Sequence, residues 1–336
     1  MRMPGTGPCE PMATAAPVLV IKLGALGDVA QAFGAFAAIR AHHRDARIVL
    51  LTTPSFAAVL GASPWFDDVW SEARFASWRV LDWLRLRRRM RAAGFARVYD
   101  LQTSSRSDRL FRLLGPGRRP EWVGRAAGAS HRHDDPRRDA LHSLERLMGQ
   151  LAVAGVTMDA APDLSWAQAD TGRFGLPEDF ALLVPGASPH RPAKRWPAER
   201  FAALAARLAA RGLGIGVLGA AGDAPLASVV GAAVPGTIDL CGRTGLDDLV
   251  PLGRLARLAV GNDTGPMHWL AAAGTPCLTL FSADSDPGLC APRGRATRFL
   301  RAGDLGSLEV DAVDAAAREM LAQAALSGDR SAPAAS

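Results

Sequence analysis

Lysine, cysteine and long apolar runs are all scarce in this chain of 336 residues. No run of about 18 uncharged apolar residues occurs, which excludes a membrane-spanning helix. Residues 1–16 are rich in proline, glycine and alanine and have no charged start before an apolar core, so we expect a flexible tail rather than a secretory signal. The four cysteines, at positions 9, 241, 277 and 290, show no C-x-x-C spacing. This argues against a zinc site or a disulfide framework and fits a reducing cytoplasm.

Only two lysines, Lys22 and Lys194, stand among the 39 basic residues, so the other 37 are arginines. A chain that uses arginine almost everywhere else indicates that these two positions need a compact ammonium rather than a planar guanidinium. Chance retention is the alternative, and the motif around Lys194 favours the functional interpretation there.

The basic residues are concentrated in the first half of the chain. Residues 1–160 contain 23 basic and 15 acidic side chains, a net charge of +8, whereas the remainder contains 16 and 18, a net charge of −2. A basic N-terminal half predicts an anionic partner. Nucleic acid, an anionic lipid and a phosphorylated glycan all satisfy that condition.

Apolar strand-like runs alternate with helical stretches in two successive series. The first series has predicted strands at 18–22, 47–52, 67–70 and 98–101 and helices at 29–42, 57–60 and 74–93. The second has strands at 180–184, 214–218, 237–240, 258–260 and 276–281 and helices at 198–211, 226–233, 246–255 and 266–273. Each series predicts a parallel sheet with helices on both faces, an α/β class.

Two such series predict two Rossmann-like domains that face each other across a cleft. We place the N-terminal domain at 17–165, the C-terminal domain at 166–310, a closing helix at 311–326 and a flexible tail at 327–336. Ligands of open parallel sheets bind at the carboxyl ends of the strands, so the loops after the strands are the candidate sites.

Three loops of this kind carry polar residues. In 259–268 (AVGNDTGPMH) a strand ends and Asp263 or Thr264 can cap the next helix, whose N-terminus suits a diphosphate. The alternative is an ordinary capped helix with a surface histidine at His268. In 184–197 (VPGASPHRPAKRWP) Lys194 offers a point charge to phosphate oxygens, the alternative being a basic surface loop. In 23–28 (LGALGD) the Asp28 carboxylate could accept a proton from an attacking hydroxyl, or simply begin a helix.

These loops and two further segments resemble the motifs of glycosyltransferase family 9, the ADP-heptose:lipopolysaccharide heptosyltransferases, over roughly residues 18–321. The matching segments are LGALGD at 23–28, DLQ at 100–102, KRWP at 194–197, GRTGLDDL at 242–249 and GNDTGPMHWLAAAGTP at 261–276. The segment at 261–276 is specific by itself, and the other four support the resemblance because they occur in the same order as in the family. The resemblance implies the GT-B fold of two facing Rossmann-like domains. Two departures, a longer 186–194 loop and no glycine directly after Phe281, lie on the donor side and leave the donor sugar open.

The resemblance also implies roles for residues at matching positions. Asp28 corresponds to the catalytic base, and Arg106 to a basic residue on the acceptor side. The implied donor-binding residues are Ala187, Ser188, Lys194, Asp223, Thr244, Asp263, Thr264, Gly265 and His268.

The implied reaction is an in-line, inverting displacement in which ADP leaves as the acceptor oxygen attacks the anomeric carbon of the sugar. No cofactor and no metal are expected, because no cluster of potential ligands is visible and Lys194 and a helix N-terminus can hold the diphosphate. The expected partners are a nucleotide-sugar donor and an anionic glycolipid acceptor, not nucleic acid. We expect a cytoplasmic protein with peripheral contact to the inner membrane, because residues 74–93 read as a basic amphipathic helix, although its apolar stripe could equally face the domain core.

Two other classes of protein stay open from the residues alone. A two-domain epimerase or dehydrogenase acting on sugar nucleotides needs a glycine fingerprint after a strand, and the G-x-G-x-x-G match at 214–219 has its first two glycines inside the strand. A non-enzymatic bilobed binding protein of the periplasmic kind predicts a signal peptide and needs no carboxylate at Asp28.

Overall fold

The computed structural model describes residues 15–72, 79–115, 119–159, 161–188 and 190–326. The strands in these ranges are β1 Ala15–Ile21, β2 Ala46–Thr52, β3 Asp68–Ser71, β4 Arg97–Asp100, β5 Glu121–Gly124, β6 His131–Arg132, β7 Phe180–Val184, β8 Gly214–Val217, β9 Ile238–Asp239, β10 Leu258–Asn262, β11 Cys277–Phe281 and β12 Thr297–Arg301. The α-helices are α1 Leu26–Gln31, α2 Phe33–His42, α3 Pro54–Gly61, α4 Val80–Ala93, α5 Ser105–Leu113, α6 Ser143–Ala152, α7 Ala198–Ala209, α8 Ala224–Ala233, α9 Leu246–Leu255, α10 Gly265–Ala272, α11 Pro287–Cys290 and α12 Val310–Leu326.

The strands form two six-stranded sheets, one from each half of the chain. The first has the order β3-β2-β1-β4-β5-β6 and the second β12-β11-β10-β7-β8-β9, and every neighbouring pair is parallel. Central strands such as β7 are buried along their whole length, as expected when helices cover both faces. The predicted α/β class with two parallel sheets is confirmed. We call the two halves the N-terminal lobe and the C-terminal lobe after these sheets.

The two lobes share one apolar core where α1 and α2 meet α10. Phe33 and Trp269, one from each lobe, are fully buried, and their rings pack edge to face with centroids 5.0 Å apart. Such aromatic pairs contribute about 0.5–1.5 kcal/mol beyond the area that they bury. The lobes are therefore packed against each other at the base of the cleft.

The predicted helix at 29–42 is two helices. Ala32 lies in a turn (φ −85°, ψ −4°) between α1 and α2. The break lets α1 lie on α10 of the other lobe, while α2 buries Phe36 and Ile39 in the N-terminal lobe. It is this short, separate α1 that carries Asp28 to the cleft.

Most other predicted elements are present within a few residues of their expected bounds. The predicted helix at 74–93 begins at Val80 in the structure, and its residues 74–78 lie outside the described ranges. The strands β5, β6 and β12 and the helices α5, α6 and α11 had no counterpart in the prediction. Cys241 and Cys277 are buried.

The closing helix predicted at 311–326 is present as α12. It buries Val313, Ala317 and Met320 against the core of the C-terminal lobe. The domain limits themselves stay a prediction, and the predicted tails lie outside the described residues except for 15 and 16. No helix in the described ranges is both long enough and apolar enough to cross a membrane.

Candidate active site

The loops after β1 and β10 face each other and bring two helix N-termini into contact. A Cβ added at Gly265 would lie 2.7 Å from Cβ of Leu26, and one added at Gly27 would lie 2.7 Å from Cδ2 of His268. Only glycine permits this approach at either position. Trp269 Nε1 also donates to the Leu26 carbonyl at 2.9 Å. The first and third predicted loops therefore form one site rather than two.

Asp28 occupies the first turn of α1 and is exposed to the cleft. Its Oδ2 accepts a hydrogen bond of 3.1 Å from the Ala25 amide, so it does cap the helix. The same carboxylate lines a pocket together with residues of the N-terminal lobe. The two interpretations of Asp28, a helix-terminus residue and a base facing the cleft, are thus compatible.

The pocket beside Asp28 has a volume of about 220 Å³ and is rich in cations, and we call it the basic pocket. Its charged and polar lining residues are Lys22, Asp28, Gln31, Gln102, Thr103, Arg125, Arg138, Asp139, Ser143 and Arg146. Four cations face two carboxylates, so the lining carries a positive excess. A pocket of this size and charge suits an anionic group of a ligand.

Protein contacts hold several of these cations in place. Lys22 is buried and donates to the Leu101 carbonyl at 3.1 Å, and burial lowers its pKa while the carboxylates of Asp28 and Asp100 oppose that effect. Arg138 donates to Thr103 Oγ1 at 3.1 Å. The confined position of Lys22 supports the interpretation that it needs a compact ammonium.

Arg106 is not part of the lining of the basic pocket. It lies on α5 with its guanidinium 6.0 Å from the ring centre of Trp83. Its role on the acceptor side stays a prediction, and Arg125, Arg138 and Arg146 are the arginines that the structure places beside Asp28.

On the opposite side of the cleft, Lys194 and Asp263 form an ion pair of 2.5 Å. The two side chains are only 12% and 8% exposed, so solvent screens the pair weakly. Ser285 Oγ donates to the same carboxylate oxygen at 2.6 Å. The structure thus brings two predicted donor residues, Lys194 and Asp263, into contact. The Asp263 carboxylate bonds to Lys194 and Ser285 rather than capping α10.

The cap of α10 is Thr264, as one of the two predicted possibilities had it, but no side chain hydrogen-bonds to the helix end. Gly265 and Pro266 follow at the first two helical positions. Pro266 carries no N–H and the Met267 amide donates to the Thr264 carbonyl at 3.2 Å, so the start of α10 offers a ligand chiefly the positive end of its helix dipole, next to Lys194 and Asp263.

Asp223 lies where β7 and β8 end. A Cβ added at Gly186 would lie 2.4 Å from its Oδ2, which places Asp223 directly beside the loop that continues to Ala187 and Ser188. Ala187 is buried and Ser188 is exposed. Thr244 is half-buried in the loop between β9 and α9, at the same end of the sheet. All of the predicted donor residues therefore lie at the carboxyl edge of the C-terminal sheet or at the start of α10.

His268 is buried in the contact between the lobes, so the alternative of a surface histidine is wrong. Its Nδ1 lies 3.0 Å from Nε2 of Gln31 in the other lobe. Burial lowers the pKa of His268 to about 4, although the carboxylates of Asp263 and Asp28 oppose that shift. The ring is therefore neutral near pH 7.

Comparison with known proteins agrees with this geometry. Residues 83–315 match the family described as "Glycosyltransferase family 9 (heptosyltransferase)". The chain belongs to glycosyltransferase family 9. A curated relative, lipooligosaccharide heptosyltransferase 2 of Haemophilus influenzae, is 35% identical over 108 residues. That match spans 31% of this chain and 31% of the relative's length.

Solved structures of the family show the fold. E. coli ADP-heptose lps heptosyltransferase II superposes with a TM-score of 0.74 over 91% of this chain and 99% of that chain, at 23% identity. The iron-containing glycosyltransferase TibC from enterotoxigenic E. coli superposes with a TM-score of 0.55, over 94% of this chain and 77% of that chain, at 16% identity. The predicted GT-B arrangement of two Rossmann-like domains is confirmed. The first two glycines of the G-x-G-x-x-G match, Gly214 and Gly216, lie inside β8, as the sequence predicted.

Family motifs that sequence reasoning left without a role prove to be supports for the cleft loops. Asn262 accepts from the Trp196 amide at 3.0 Å and donates to the Pro185 carbonyl at 2.7 Å, so it ties the Lys194 loop to β10. Gln102 accepts from the Leu23 amide at 2.7 Å and thereby supports the loop before Asp28. Their presence in the motifs at 261–276 and 100–102 was the sequence signal that could have pointed to Asn262 and Gln102.

Asp100, the first residue of DLQ, organises the wall of the basic pocket. It is fully buried and accepts from the amides of Gln102 (3.2 Å) and Thr103 (3.0 Å). Thr103 is held with φ at +45°, a conformation that residues other than glycine rarely adopt. Burial raises the pKa of Asp100 to about 6.

No group of three or more His, Cys, Asp or Glu side chains in the described part of the chain is placed to hold a metal ion.

Proposed function

We propose that this chain transfers a heptose from ADP-heptose to an anionic acceptor of the lipopolysaccharide core. The observation that carries the proposal is the position of α1. Its carboxylate, Asp28, lines the basic pocket, while Leu26 and Gly27 touch the start of α10 and His268. One helix thus places a base between an anion pocket and a helix N-terminus suited to a diphosphate.

The chemistry is a single displacement with inversion. Asp28 accepts the proton of the attacking acceptor hydroxyl, the acceptor oxygen bonds to the anomeric carbon, and the bond from that carbon to the ADP oxygen breaks. The negative charge that develops on the diphosphate is stabilised by Lys194 and by the positive end of the α10 dipole. The diphosphate would draw Lys194 partly away from Asp263, and Ser285 remains to hydrogen-bond that carboxylate.

Two facts support the substrates. The curated relatives and several of the structural neighbours are described as heptosyltransferases, and one neighbour is described as an ADP-heptose lps heptosyltransferase. The four cations of the basic pocket, in a half of the chain with a net charge of +8, suit an acceptor that carries phosphates or acidic sugars. We propose Asp223 and Thr244 as contacts to the nucleoside.

The acceptor is a glycolipid in this proposal, so the enzyme works at the cytoplasmic face of the inner membrane. Helix α4 supports such a contact. Val80, Leu81 and Leu84 are 58%, 68% and 39% exposed, and exposed arginines follow on the same helix. Its other apolar residues, Trp83, Leu86 and Met90, are buried in the N-terminal lobe. The helix thus combines a core face with a second, exposed apolar face.

The direct test is a transfer assay with the purified protein, ADP-heptose and a heptose-deficient lipopolysaccharide core, with products followed by mass spectrometry. We expect the acceptor to gain one heptose, with equal rates in excess EDTA and in added magnesium, since we propose that no metal takes part. Failure of transfer while ADP still binds would mean a different donor sugar or acceptor. A strict need for a divalent ion would refute the metal-independent mechanism.

A further inference from the structure

A chain of hydrogen bonds crosses the cleft from the basic pocket to the donor site. Ser143, at the start of α6, donates from Oγ to Oε1 of Gln31. Gln31, the last residue of α1, lies with its Nε2 3.0 Å from Nδ1 of His268 and 3.4 Å from the Cys290 carbonyl. We call Ser143, Gln31 and His268 the cross-cleft relay. Its first two members line the basic pocket, and its last belongs to the helix proposed to bind the diphosphate.

The contacts of Gln31 determine which way its amide faces. The Cys290 carbonyl can only accept a hydrogen bond, so the amide nitrogen must lie on that side, and Oε1 must face the Ser143 hydroxyl. The same nitrogen then donates to Nδ1 of His268. An Nδ1 that accepts a hydrogen bond carries no proton, so the proton of the neutral imidazole is on Nε2.

Several elements surround the His268 ring. The charged and titratable groups that face the ring come from several elements, namely Asp263 before α10, Asp28 on α1, His142 before α6 and Lys194 in the loop before α7. The Cδ2–Nε2 edge of the ring lies against Gly27 of α1, the residue before Asp28. In the described part of the chain Nε2 has no hydrogen-bond partner, so its proton can be donated to a ligand in the cleft.

We propose that Gln31 is a positioning residue that couples the acceptor pocket to the donor site, an inference that rests on the proposed transferase function. An acceptor bound in the basic pocket contacts Ser143 and Gln31 and immobilises both side chains. The Nε2–H of His268 is then already oriented when the donor binds. Part of the conformational entropy lost on donor binding has therefore been lost already on acceptor binding. The coupling is reciprocal, and each ligand raises the affinity of the other.

Coupling is measured by titrating ADP into the full-length protein by calorimetry, with and without the deacylated, heptose-deficient lipopolysaccharide core. We expect the core to tighten ADP binding by about 5-fold or more, the usual lower range of coupling between sites. Gln31→Ala should reduce this factor to about 1 while ADP alone still binds. An uncoupled wild-type protein, or coupling that survives in Gln31→Ala, overturns the proposal.

A matched control separates coupling from simple packing of the lobes. Trp269→Phe removes the hydrogen bond to the Leu26 carbonyl from the same pair of helices but leaves the relay intact. It should lower the melting temperature and keep the coupling factor. Loss of coupling in Trp269→Phe to the same extent as in Gln31→Ala would mean that the interface as a whole, not Gln31, carries it.

The tautomer has its own readout, which does not depend on substrates. The ¹⁵N shifts of the His268 ring, identified by their loss in His268→Gln, should report a protonated Nε2 and a bare Nδ1 in the wild type. Gln31→Glu places a carboxylate at Nδ1, which favours the imidazolium and should move the pKa of His268 upward into the range from pH 5 to 8. A wild-type ring protonated on Nδ1 refutes the relay even if transfer activity is present. Absence of ADP binding with the expected tautomer would instead refute the transferase proposal.

Discussion

At the scale of single residues, Asp28 caps a helix and is also the residue that we propose as the catalytic base. Oδ2 caps the Ala25 amide, which fixes the rotamer and leaves the carboxylate facing the basic pocket. An asparagine can keep the same hydrogen bond through its amide oxygen but cannot accept a proton from the acceptor hydroxyl.

Asp28→Asn should therefore lower turnover by about 10²–10⁴-fold, the usual contribution of a positioned base. The affinity for ADP should change little, because the donor contacts lie in the other lobe. Single-turnover rates and calorimetry of ADP binding measure the two quantities separately. Near-normal turnover in this variant would leave Asp28 with the capping role alone.

Lys194 presents a different problem because it is already paired with Asp263. Removing one partner of a poorly solvated pair leaves the other charge uncompensated, here a carboxylate beside the proposed diphosphate site. Lys194→Ala should weaken ADP binding by about 1.5–3 kcal/mol, roughly 10- to 150-fold in Kd. It should also slow turnover, because the leaving group loses a counter-charge.

The double variant Lys194→Ala/Asp263→Asn is the control for repulsion. It removes the uncompensated carboxylate, so it should recover part of the ADP affinity lost in Lys194→Ala. Calorimetry on wild type and both variants decides the point. If the double variant binds ADP more weakly than Lys194→Ala, Asp263 contacts the nucleotide itself.

At the scale of elements, the loop after β4 is organised by a buried carboxyl group, Asp100, which accepts from the amides of Gln102 and Thr103. The pKa of Asp100 is raised by burial from 3.8 to about 6, so the folded state binds a proton more tightly than the unfolded state. Between pH 4 and 6 this group makes the folded protein less stable as pH rises, and the effect is complete above pH 6.

Asp100→Asn should therefore flatten the pH dependence of the free energy of unfolding between pH 4 and 6. Its amide oxygen can still accept from Gln102 and Thr103, so the loop should keep its shape. Urea unfolding of wild type and variant across this range measures the difference. An unchanged pH dependence would show that Asp100 is not the group that titrates in this window.

Helix α4 offers the second prediction at this scale. If Leu81 and Leu84 enter an anionic membrane surface, Leu81→Glu/Leu84→Glu should reduce binding to anionic vesicles by about 10-fold or more, because each buried leucine contributes about 1.5–3 kcal/mol. Leu255→Glu, at a residue of the C-terminal lobe that is 54% exposed, is the matched control and should bind like wild type. Co-sedimentation with neutral and anionic liposomes is the measurement. Equal binding to both kinds of vesicle would exclude an electrostatic docking surface.

The elements also show what sequence patterns can and cannot predict. Strands such as β1 and β10 are continuous apolar runs, so both sheets and the loops after these strands were predictable. The strands β5 and β6 have four and two residues, too short for any periodicity to appear. Helix α6 was missed although His142 and Glu145 form its capping box, because histidine is not one of the residues that usually signal a helix start.

Within the site, sequence motifs predicted which loops meet but not which side chains bond across the cleft. Gln31 and Ser143 are separated by 112 positions and carry no motif, and only the packing of α1 on α10 and α6 brings them together. Ser285 lies in the segment after Phe281 that departs from the family pattern, and this departure was the sequence signal that could have pointed to it. The roles carried over to Arg106, Asp223 and Thr244 stay predictions.

At the scale of the whole molecule, the shared core determines whether a ligand bound to one lobe also stabilises the other. The proposed nucleotide contacts lie in the C-terminal lobe, yet Trp269 of α10 is packed on Phe33 and bonded to Leu26 of the N-terminal lobe. We therefore expect the two lobes to unfold in one transition, and a nucleotide bound to one lobe to stabilise both.

A thermal-shift series with ADP, UDP and GDP tests this expectation together with the identity of the donor nucleotide. At 100 times its Kd, ADP should stabilise the folded state by about 2.7 kcal/mol. For a chain of this length that corresponds to a rise of about 4 °C in the melting temperature of a single transition. UDP and GDP at the same concentration should shift it less, Asp28→Asn should respond like wild type, and Lys194→Ala should require more ADP. A larger shift with UDP or GDP would assign the donor to another nucleotide, and a shift confined to one of two transitions would show that the lobes unfold independently despite their shared core.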